Sequence, residues 1–435
     1  MTALRKLFGT DGVRGVAGVD LTEDLARDLG AAAAASAGPG ARVVIGRDTR
    51  ESGPMLEEAL VEGVVSAGGQ ALRAGVLPTP GVAVLTRLEG AERGCVISAS
   101  HNPYQDNGIK FLGPDGRKLA DAAEAEIEAA LGSPVAADGG TDSELADAAA
   151  TYASWLALTY AAEAPDVAVV LDCANGAAHA VAPAVFSTSG TVVRTIGAEP
   201  DGRNINAGVG SMHLEAVSEA VRGSGAVAGF AFDGDADRCL AVDPDGRPVN
   251  GDGIIAAIAL ARGVERIVIT SMTNLGFHRL MREHGVEVEV TDVGDRYVLE
   301  RMLETGAALG GEQSGHVVDL AHHTTGDGIA TALMLLAAID RLGISMRDAA
   351  DLVRPFPQKL VAVPADRSAL DGADRVWQEV RAAEAKLGED GRVVLRASGT
   401  EPVVRVMVEA ADATECERLC DHLADVVAAE LGGTA

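Results

Sequence analysis

Three aspartates separated only by glycine and alanine form the sequence Asp-Gly-Asp-Ala-Asp-Arg, in which Asp233, Asp235 and Asp237 precede Arg238. The apolar run at 226–232 is typical of a buried strand, so the three carboxylates follow a strand end. Carboxylates this close repel one another unless a cation lies between them. Oxygen ligands in this number favour Mg²⁺ over Zn²⁺, and the Arg238 guanidinium can bind a phosphate. The motif therefore predicts a magnesium site beside a phosphoryl group.

Two other interpretations of this acidic motif have to be compared with a magnesium site. A calcium-binding loop opens with the same spacing of aspartates, but it needs glycine at its sixth position and glutamate at its twelfth. Those positions hold Arg238 and Pro244 here, so the calcium interpretation fails. A solvated acidic turn without a metal remains the alternative.

Ser100 lies in a second polar segment, Ser-Ala-Ser-His-Asn-Pro, which follows the apolar run at 94–97. Asparagine and proline break regular structure, so this serine is predicted at an exposed turn. A serine hydroxyl is a poor nucleophile, but a phosphoserine beside a hard cation can pass its phosphoryl group on. His101 and Lys110 are candidates for proton transfer or charge neutralisation. A turn serine with a structural role is the alternative, and no Gly-x-Ser-x-Gly motif supports a serine hydrolase.

A third polar segment, Gly-Gly-Glu-Gln-Ser-Gly-His, contains Glu312, Ser314 and His316. An acid, an amide, a hydroxyl and an imidazole are side chains that bind sugar hydroxyls, and glycines let a ligand approach the backbone closely. We therefore predict a sugar-binding loop here. An ordinary polar connection is the alternative.

A fourth segment, Arg-Ala-Ser-Gly-Thr-Glu-Pro at 396–402, combines a guanidinium and hydroxyls with a glycine turn. Backbone amides in such turns bind phosphate, and the lack of a Gly-Lys-Ser/Thr sequence argues against a nucleotide. Arg14 and Arg47 also stand near turns, where a salt bridge is the alternative to a ligand. The candidate phosphate-binding residues are Arg396, Ser398, Gly399, Thr400 and Arg405.

The charge balance of the 435-residue chain limits its partners. Its 64 acidic residues outnumber its 36 basic ones, which gives a formal net charge of -28. This charge repels nucleic acid and anionic membrane surfaces, so neither is expected as a partner. An anionic substrate must instead be bound in a locally basic cleft.

The five cysteines are an odd number without a Cys-x-x-Cys pair, and they indicate neither a disulfide framework nor a zinc site. The amino-terminal sequence becomes polar and glycine-rich before an apolar segment of signal-peptide length can form. The longest uncharged apolar stretch, at 328–339, is too short to span a bilayer. We expect a cytoplasmic, soluble protein.

Three segments, at 42–48, 167–172 and 266–271, share a plan of β-branched run, polar turn and alanine-rich amphipathic stretch. This alternation predicts three α/β units with mainly parallel sheets that are covered on both faces, and a helix is predicted at 143–162. Beyond residues 355–364 the order strand, helix, strand, strand, helix predicts a smaller α+β domain. The predicted domains are 1–150, 151–252, 253–362 and 363–435.

Six motifs together resemble the α-D-phosphohexomutase superfamily across nearly the whole chain, in that family's order and approximate spacing. They are LFGTDGVRG, ISASHNPYQDNGIKF, DGDADR, TDVGDRYV, GGEQSGH and RASGTEPVVRVMVEA. The resemblance implies an α/β fold of four domains around a central cleft, three of mixed α/β type and a smaller C-terminal α+β domain. That fold agrees with the organisation predicted above.

The resemblance also implies residue roles. Ser100 would be the phosphoserine, and its phosphate would complete a site in which three aspartates hold one Mg²⁺ per chain. Glu312 and Ser314 would bind sugar hydroxyls, with Arg14 and His316 as further substrate contacts. The substrate's other phosphate would be held by Arg396, Ser398, Gly399, Thr400 and Arg405. His101, Lys110 and Arg238 would act at the reacting phosphoryl group. The candidates for the general acid and base are Lys110, His101 and His316, and the sequence does not rank them.

The implied reaction interconverts glucosamine 6-phosphate and glucosamine 1-phosphate through a 1,6-bisphosphate, and it feeds UDP-N-acetylglucosamine and cell-wall precursor synthesis. Gln313, the sequence TDVGDRYV and the Thr10-Asp11-Gly12 opening favour this amino-sugar branch. Phosphomannomutase and phosphoglucomutase activities are the alternatives within the superfamily. A metal-dependent sugar phosphatase and a non-catalytic sugar-phosphate sensor are alternatives outside it.

The expected partners are therefore a phosphosugar substrate, glucosamine 1,6-bisphosphate or a similar hexose bisphosphate as activator, and an activating kinase as a further candidate. The family implies a monomer or a homodimer. Because the bisphosphate must reorient without leaving the cleft, hinge motion of the fourth domain is predicted near residues 355–364.

Overall fold

The computed structural model describes residues 7–9, 11–132, 137–188, 192–398 and 402–432. Contacts between residues divide the chain into two compact units. The first comprises the chain up to Thr270 together with Val286–Leu352, and the second comprises Ser271–Gly285 together with the chain from Val353 onward.

The first sheet of the first unit has a parallel centre. Its elements are β1 (Val13–Val16), α1 (Glu23–Ala37), β2 (Arg42–Arg47), α2 (Gly53–Ser66), β3 (Gln70–Val76), α3 (Thr79–Leu88), β4 (Arg93–Ile97), β5 (Asp106–Leu112), α4 (Asp121–Ala130), β6 (Thr141–Glu144) and α5 (Ala148–Thr159). The strand order is β1-β5-β4-β2-β3-β6, in which β2 is parallel to β3 and β4, and β5 is antiparallel to β4 and β1. Because β2 and β4 are parallel neighbours, the turns that follow them lie at the same edge of the sheet.

The second sheet repeats this arrangement. It contains β7 (Ala168–Asp172), α6 (Ala178–Thr188), β8 (Val192–Ile196), α7 (Leu214–Val221), β9 (Ala228–Phe232), β10 (Cys239–Val242) and β11 (Pro248–Val249). Strand β7 is parallel to β8 and β9, whereas β10 is antiparallel to β9 and β11. The β10–β11 connection is the turn with the sequence Asp-Pro-Asp-Gly.

The third sheet follows the same plan. The elements in this part of the chain are α8 (Gly251–Arg262), β12 (Arg266–Thr270), α9 (Leu275–Glu283), β13 (Glu287–Thr291), α10 (Asp295–Thr305), β14 (Leu309–Gly311), β15 (Val317–Asp319), α11 (Gly328–Leu342) and α12 (Met346–Ala350). Strand β12 is parallel to β13 and β14, and β15 is antiparallel to β14. Helix α9 belongs to the second unit.

The second unit has one antiparallel sheet. Together with α9 it contains β16 (Gln358–Pro364), α13 (Asp374–Leu387), β17 (Gly391–Ala397), β18 (Val403–Ala410) and α14 (Ala413–Leu431). The strand order is β16-β18-β17, and both pairs are antiparallel. Buried side chains from the strands and from α13 and α14, including Val376, Val406 and Leu423, form its core.

The predicted fold class of three α/β units and a smaller α+β domain is confirmed, with two differences. Each of the first three sheets carries antiparallel strands at one side, so the sheets are mixed and not mainly parallel. The helix predicted at 143–162 begins only at Ala148, because Thr141–Glu144 pairs with the edge of β3. Among the described residues, no helix is long and apolar enough to cross a membrane.

Candidate active site

Ser100 lies in the connection between β4 and β5, where only 2% of its surface is exposed. The predicted turn is present, but the prediction of an exposed serine is wrong. The loop after β9 covers the serine, and Ser100 Oγ donates a hydrogen bond of 2.5 Å to Asp233 Oδ2. The backbone of Ser100 has a φ of 51°, a left-handed conformation that costs a non-glycine residue about 1–2 kcal/mol.

Asp233, Asp235 and Asp237 lie together in the connection between β9 and β10, as predicted. One carboxylate oxygen from each lies within 4.8 Å of the others, and all three residues are buried. Ala236 takes a left-handed φ of 57°, which turns the loop sharply enough for its acidic side chains to converge. Within the described part of the chain, this is the only group of acidic, histidine or cysteine residues with the spacing of a metal site.

The bonding of the aspartates fits a bound cation. Asp235 Oδ1 and Asp237 Oδ1 are buried and have no hydrogen-bond partner. Burial and the neighbouring charges of Asp237 and Asp235 raise the pKa of Asp233 well above its usual value. A divalent cation would relieve both costs, since carboxylate oxygens are the ligands that Mg²⁺ prefers.

Cationic and imidazole side chains surround the serine and the aspartates. Lys110 lies on the inner strand β5, and its Nζ is 2.8 Å from Asp235 Oδ2. His101 Nδ1 lies 3.3 Å from both Ser100 Oγ and Arg238 Nη1. Burial, together with the charges of Arg238 and Arg14, lowers the pKa of His101. Arg14 donates to Asp11 and lies 3.5 Å from the carbonyl oxygen of Ala99.

Lys118 extends this network, and the sequence analysis did not identify it. Its Nζ contacts Asp11 Oδ1 at 2.6 Å and Asp295 Oδ2 at 2.5 Å. Burial opposes the charged form of Lys118, but the charges of Asp295 and Asp11 raise its pKa. Both acids lie in motifs that carried the resemblance, whereas nothing in the sequence around Lys118 indicated a partner.

The predicted sugar-binding loop connects β14 to β15, and it contacts the loop that carries the three aspartates. His316 forms an antiparallel backbone bridge with Arg238, and its Nδ1 is 3.8 Å from Asp237 Oδ2. The amide of Gly326 donates to His316 Nε2 at 3.2 Å. Glu312 Oε1 accepts from the amide of Gly294 at 3.1 Å, and burial raises the pKa of Glu312.

A buried, unpartnered hydroxyl completes this loop. Ser314 Oγ is buried and has no hydrogen-bond partner, so it can bind a ligand hydroxyl.

The structure therefore brings together the predicted residues of the first unit, which are Arg14, Ser100, His101, Lys110, Asp233, Asp235, Asp237, Arg238, Glu312, Ser314 and His316.

The predicted phosphate-binding residues that the structure describes lie together in the second unit. Arg396 on β17 is the register partner of Arg405 on β18. Ser398 is buried just beyond β17, its amide donates to the carbonyl oxygen of Val403 at 2.9 Å, and Arg367 donates to its carbonyl oxygen. Gly399 and Thr400 lie outside the described residues.

Models of one protein family match the chain along most of its length. The matches are to Phosphoglucomutase/phosphomannomutase alpha/beta/alpha domain I over residues 5–135, domain II over 150–246, domain III over 250–356 and the C-terminal domain over 360–426.

Curated relatives align with the chain over nearly its full length. A protein named phosphoglucosamine mutase from Thermobifida fusca is 48% identical over 98% of this chain and 99% of its own. Another protein of that name, from Mycobacterium tuberculosis, is 49% identical over 97% of this chain and 99% of its own.

Solved structures share the fold. A phosphoglucomutase/phosphomannomutase family protein from Burkholderia thailandensis has a TM-score of 0.83 at 26% identity and covers 98% of this chain and 97% of its own. The Aspergillus fumigatus N-acetylphosphoglucosamine mutase, solved with GlcNAc-6P and magnesium, has a TM-score of 0.69 at 17% identity, with 97% and 95% covered. Because the identity to full-length relatives is close to half, the chain belongs to the phosphoglucosamine mutase family of the α-D-phosphohexomutase superfamily.

Proposed function

We propose that this chain interconverts glucosamine 6-phosphate and glucosamine 1-phosphate, with Ser100 as the phosphoryl carrier. The observation that carries the proposal is the 2.5 Å hydrogen bond from Ser100 Oγ to Asp233 Oδ2 within a buried group of three carboxylates. A serine with only a structural role in a turn has no need of a metal-binding group beside its hydroxyl. The names of relatives that are 48–49% identical support glucosamine phosphate as the substrate.

In the proposed reaction, phospho-Ser100 donates its phosphoryl group to the free C1 or C6 hydroxyl of the sugar phosphate. The bond from phosphorus to Ser100 Oγ breaks as the bond to the sugar oxygen forms, and a base accepts the hydroxyl proton. The resulting 1,6-bisphosphate reorients and returns its other phosphoryl group to Ser100. The three aspartates and the seryl phosphate would hold one Mg²⁺ per chain, which would supply positive charge to the transferring group.

Positions in the structure suggest different roles for the three candidates for proton transfer. His101 Nδ1 is 3.3 Å from Ser100 Oγ, so of these three candidates the imidazole of His101 is the one that contacts the serine hydroxyl. Lys110 is paired with Asp235 at 2.8 Å, which favours an electrostatic role. His316 faces Asp237 and lies on the sugar-binding loop, which supports contact with a substrate hydroxyl.

The remaining substrate contacts are proposed from the family resemblance and the positions above. Glu312, Ser314 and Arg14 would bind the sugar. The phosphate that does not react would be bound by Arg396, Ser398, Gly399, Thr400 and Arg405. A hexose bisphosphate would phosphorylate Ser100 initially, and a related enzyme solved with glucose 1,6-bisphosphate supports that choice of activator. A cytoplasmic location is also part of the proposal, and the odd number of cysteines without a Cys-x-x-Cys pair supports it.

The test combines intact-mass measurement of the Ser100 phosphate with phosphorus NMR of the products. Glucosamine 6-phosphate, glucose 6-phosphate and mannose 6-phosphate are each supplied with Mg²⁺ and glucose 1,6-bisphosphate. We expect glucosamine 6-phosphate to react fastest, and we expect Ser100→Ala to lose both the phosphate and turnover. The matched control is Ser154→Ala, which removes an exposed helical hydroxyl.

Three results would contradict this function. Full turnover by Ser100→Ala would exclude the carrier role. Release of inorganic phosphate without a sugar 1-phosphate would indicate a phosphatase. A preference for either neutral hexose phosphate would assign the chain to another branch of the superfamily.

A further inference from the structure

A buried guanidinium lies behind the loop that carries Ser100. Only 1% of the surface of Arg50 is exposed, and its Nε donates to Asp48 Oδ2 at 2.8 Å. The other four N–H groups of the guanidinium donate to backbone carbonyl oxygens of the serine loop, defined as residues 98–106. These acceptors belong to Ser100, Asn102 and Asp106, each at 2.9 Å, and to Pro103. An arginine side chain has five donors, so every donor of Arg50 is used.

A second chain of hydrogen bonds reaches the amide of Ser100 from the same carboxylate. Asp48 Oδ2 accepts a hydrogen bond of 2.6 Å from Ser98 Oγ. Ser98 Oγ in turn accepts from the amide of Ser100 at 2.9 Å. Both the amide and the carbonyl oxygen of Ser100 are therefore tied to the Asp48–Arg50 pair.

Asn206 binds the serine loop from the segment that follows β8. Its Nδ2 donates to the carbonyl oxygens of Ser100 at 2.9 Å and Asn102 at 3.1 Å. Asn206 is buried, and its φ of 58° is one that glycine also adopts readily. The same two carbonyl oxygens thus accept from Arg50 and from Asn206.

These contacts hold the backbone of Ser100 in a left-handed conformation that is unfavourable for a residue other than glycine. Without them the loop would relax, and Ser100 Oγ would move relative to Asp233. Phosphoryl transfer requires an in-line arrangement, and a displacement of about 1 Å costs roughly a hundredfold in rate. Arg47, the last residue of β2, instead forms a salt bridge with Glu57 at 2.9 Å, and its Nη1 donates to the carbonyl oxygen of Asp48 at 3.3 Å.

The carbonyl clamp is defined as Asp48, Arg50, Ser98 and Asn206. We propose that the carbonyl clamp consists of positioning residues that fix the backbone of Ser100 for phosphoryl transfer, an inference that rests on the proposed function. These residues act through Ser100 and need not contact the substrate.

The sharpest test is Asn206→Gly, because glycine keeps the left-handed backbone while the side chain that donates to the serine loop is removed. The matched control is Asp147→Gly, which makes the same kind of change at an exposed residue with a φ of 57° outside the clamp. We expect kcat of Asn206→Gly to fall about tenfold or more, while KM stays within about threefold of the control. Arg50→Lys, which keeps the charge but not the planar fork, should lower kcat further.

Hydrogen exchange gives a readout that does not depend on turnover. Amides in peptides that cover residues 98–106 should exchange faster in Asn206→Gly than in Asp147→Gly, with other peptides unchanged. If kcat and exchange in Asn206→Gly match the control, or if KM alone changes, the clamp proposal is overturned. If Arg50→Lys fails to fold, Asn206→Gly still decides the question. A wild-type protein without mutase activity would overturn the proposed function, whereas the exchange comparison would still test the clamp.

Discussion

Two of the three aspartates of the candidate metal site differ in their environments. Burial and the charges of Asp237 and Asp235 raise the pKa of Asp233. Burial acts on Asp237 in the same direction, but the nearby His316, Lys110 and Arg238 hold its pKa below the usual value. Without a cation, the negative charge of Asp233 is therefore less compensated than that of Asp237.

Asp233→Asn is expected to stabilise the metal-free protein and to weaken its response to Mg²⁺. Removing one charge relieves the repulsion, which we expect to raise the free energy of unfolding by about 1 kcal/mol in a chelator. The same change removes a metal ligand, so the increase in Tm on adding Mg²⁺ should largely disappear. Thermal melts across a Mg²⁺ titration measure both effects. Asp340→Asn, an exposed change of equal charge, should keep the wild-type response.

An unchanged Mg²⁺-dependent rise in Tm for Asp233→Asn would contradict the assignment of this residue as a ligand. A metal-free Tm below that of Asp340→Asn would contradict the proposed repulsion.

The sequence predicted those functional residues whose neighbours along the chain already indicate chemistry. Asp233 and Ser100 each follow an apolar strand and lie in a short polar turn, a pattern that can be recognised locally. Lys118 was missed because its partner Asp11 is 107 positions away. Arg50 was missed as a buried donor for the same physical reason, since its carbonyl acceptors lie fifty or more positions along the chain. Such contacts depend on the folded sheet and leave no local pattern.

At the scale of elements, the three loops of the site occupy equivalent places. Each follows a strand with a parallel neighbour and precedes a strand that runs antiparallel to it: β4 to β5, β9 to β10, and β14 to β15. Because the chain reverses its direction between the two strands of each pair, each connecting loop is short. Side chains from three sheets can therefore meet. The sequence did not predict these reversals, because an apolar run does not specify the direction of its neighbour.

Gly234→Ala tests how closely two of these loops must approach. A Cβ at Gly234 would lie 2.5 Å from the carbonyl oxygen of Ser100, which is closer than van der Waals contact allows. We expect kcat to fall about a hundredfold, because the serine loop and the aspartates must separate. Steady-state kinetics with glucosamine 6-phosphate measure the change. Gly372→Ala is the control, since a Cβ there meets no atom within 4 Å. Equal kcat values for the two variants would contradict the required approach.

Helix α9 carries a histidine that should make stability depend on pH. Burial, together with the charges of Arg392 and Arg282, lowers the pKa of His278 to about 4. In the unfolded chain this pKa is about 6.5, so the unfolded state takes up the proton first as the pH falls. The stabilising contribution is therefore complete above about pH 6.5 and is lost as the pH falls towards 4.

His278→Gln should reduce this acid sensitivity. Between about pH 7 and pH 5, we expect the variant to lose about 2 kcal/mol less unfolding free energy than the wild type. Urea titrations that follow Trp377 measure the difference. His284→Gln, which changes an exposed histidine at the end of the same helix, should behave like the wild type. If both variants show the wild-type pH dependence, His278 is not held neutral.

At the scale of the whole molecule, the contact units and the family domains divide the chain differently. The match to domain III spans residues 250–356, yet α9 within it belongs to the second unit. The predicted domain boundaries after residues 150, 252 and 362 do not coincide with the limits of these units, and they stay predictions. The hinge near residues 355–364 also stays a prediction, and X-ray scattering with and without glucose 1,6-bisphosphate would test it through the radius of gyration.

Glu409 on β18 explains why α9 belongs to the second unit. Its carboxylate is fully buried and accepts hydrogen bonds from Arg392 Nε at 2.7 Å, the Leu275 amide at 3.0 Å and Asn274 Nδ2 at 3.1 Å. The carboxylate thus binds the start of α9 and strand β17 together. Glu409→Gln would leave the Arg392 charge without its counterion, and removing one partner of a buried pair costs about 3 kcal/mol.

We expect this loss to be confined to the second unit, and the two tryptophans of the chain allow a direct measurement. Trp377 lies in the second unit and Trp155 in the first. In a Trp155→Phe background, Glu409→Gln should shift the urea midpoint reported by Trp377 to lower concentration. In a Trp377→Phe background, the midpoint reported by Trp155 should stay nearly unchanged. Glu415→Gln, which alters a solvated ion pair, should cost less than about 1 kcal/mol. Equal shifts at both reporters would show that the units unfold together, because a local loss would then be transmitted to the whole chain.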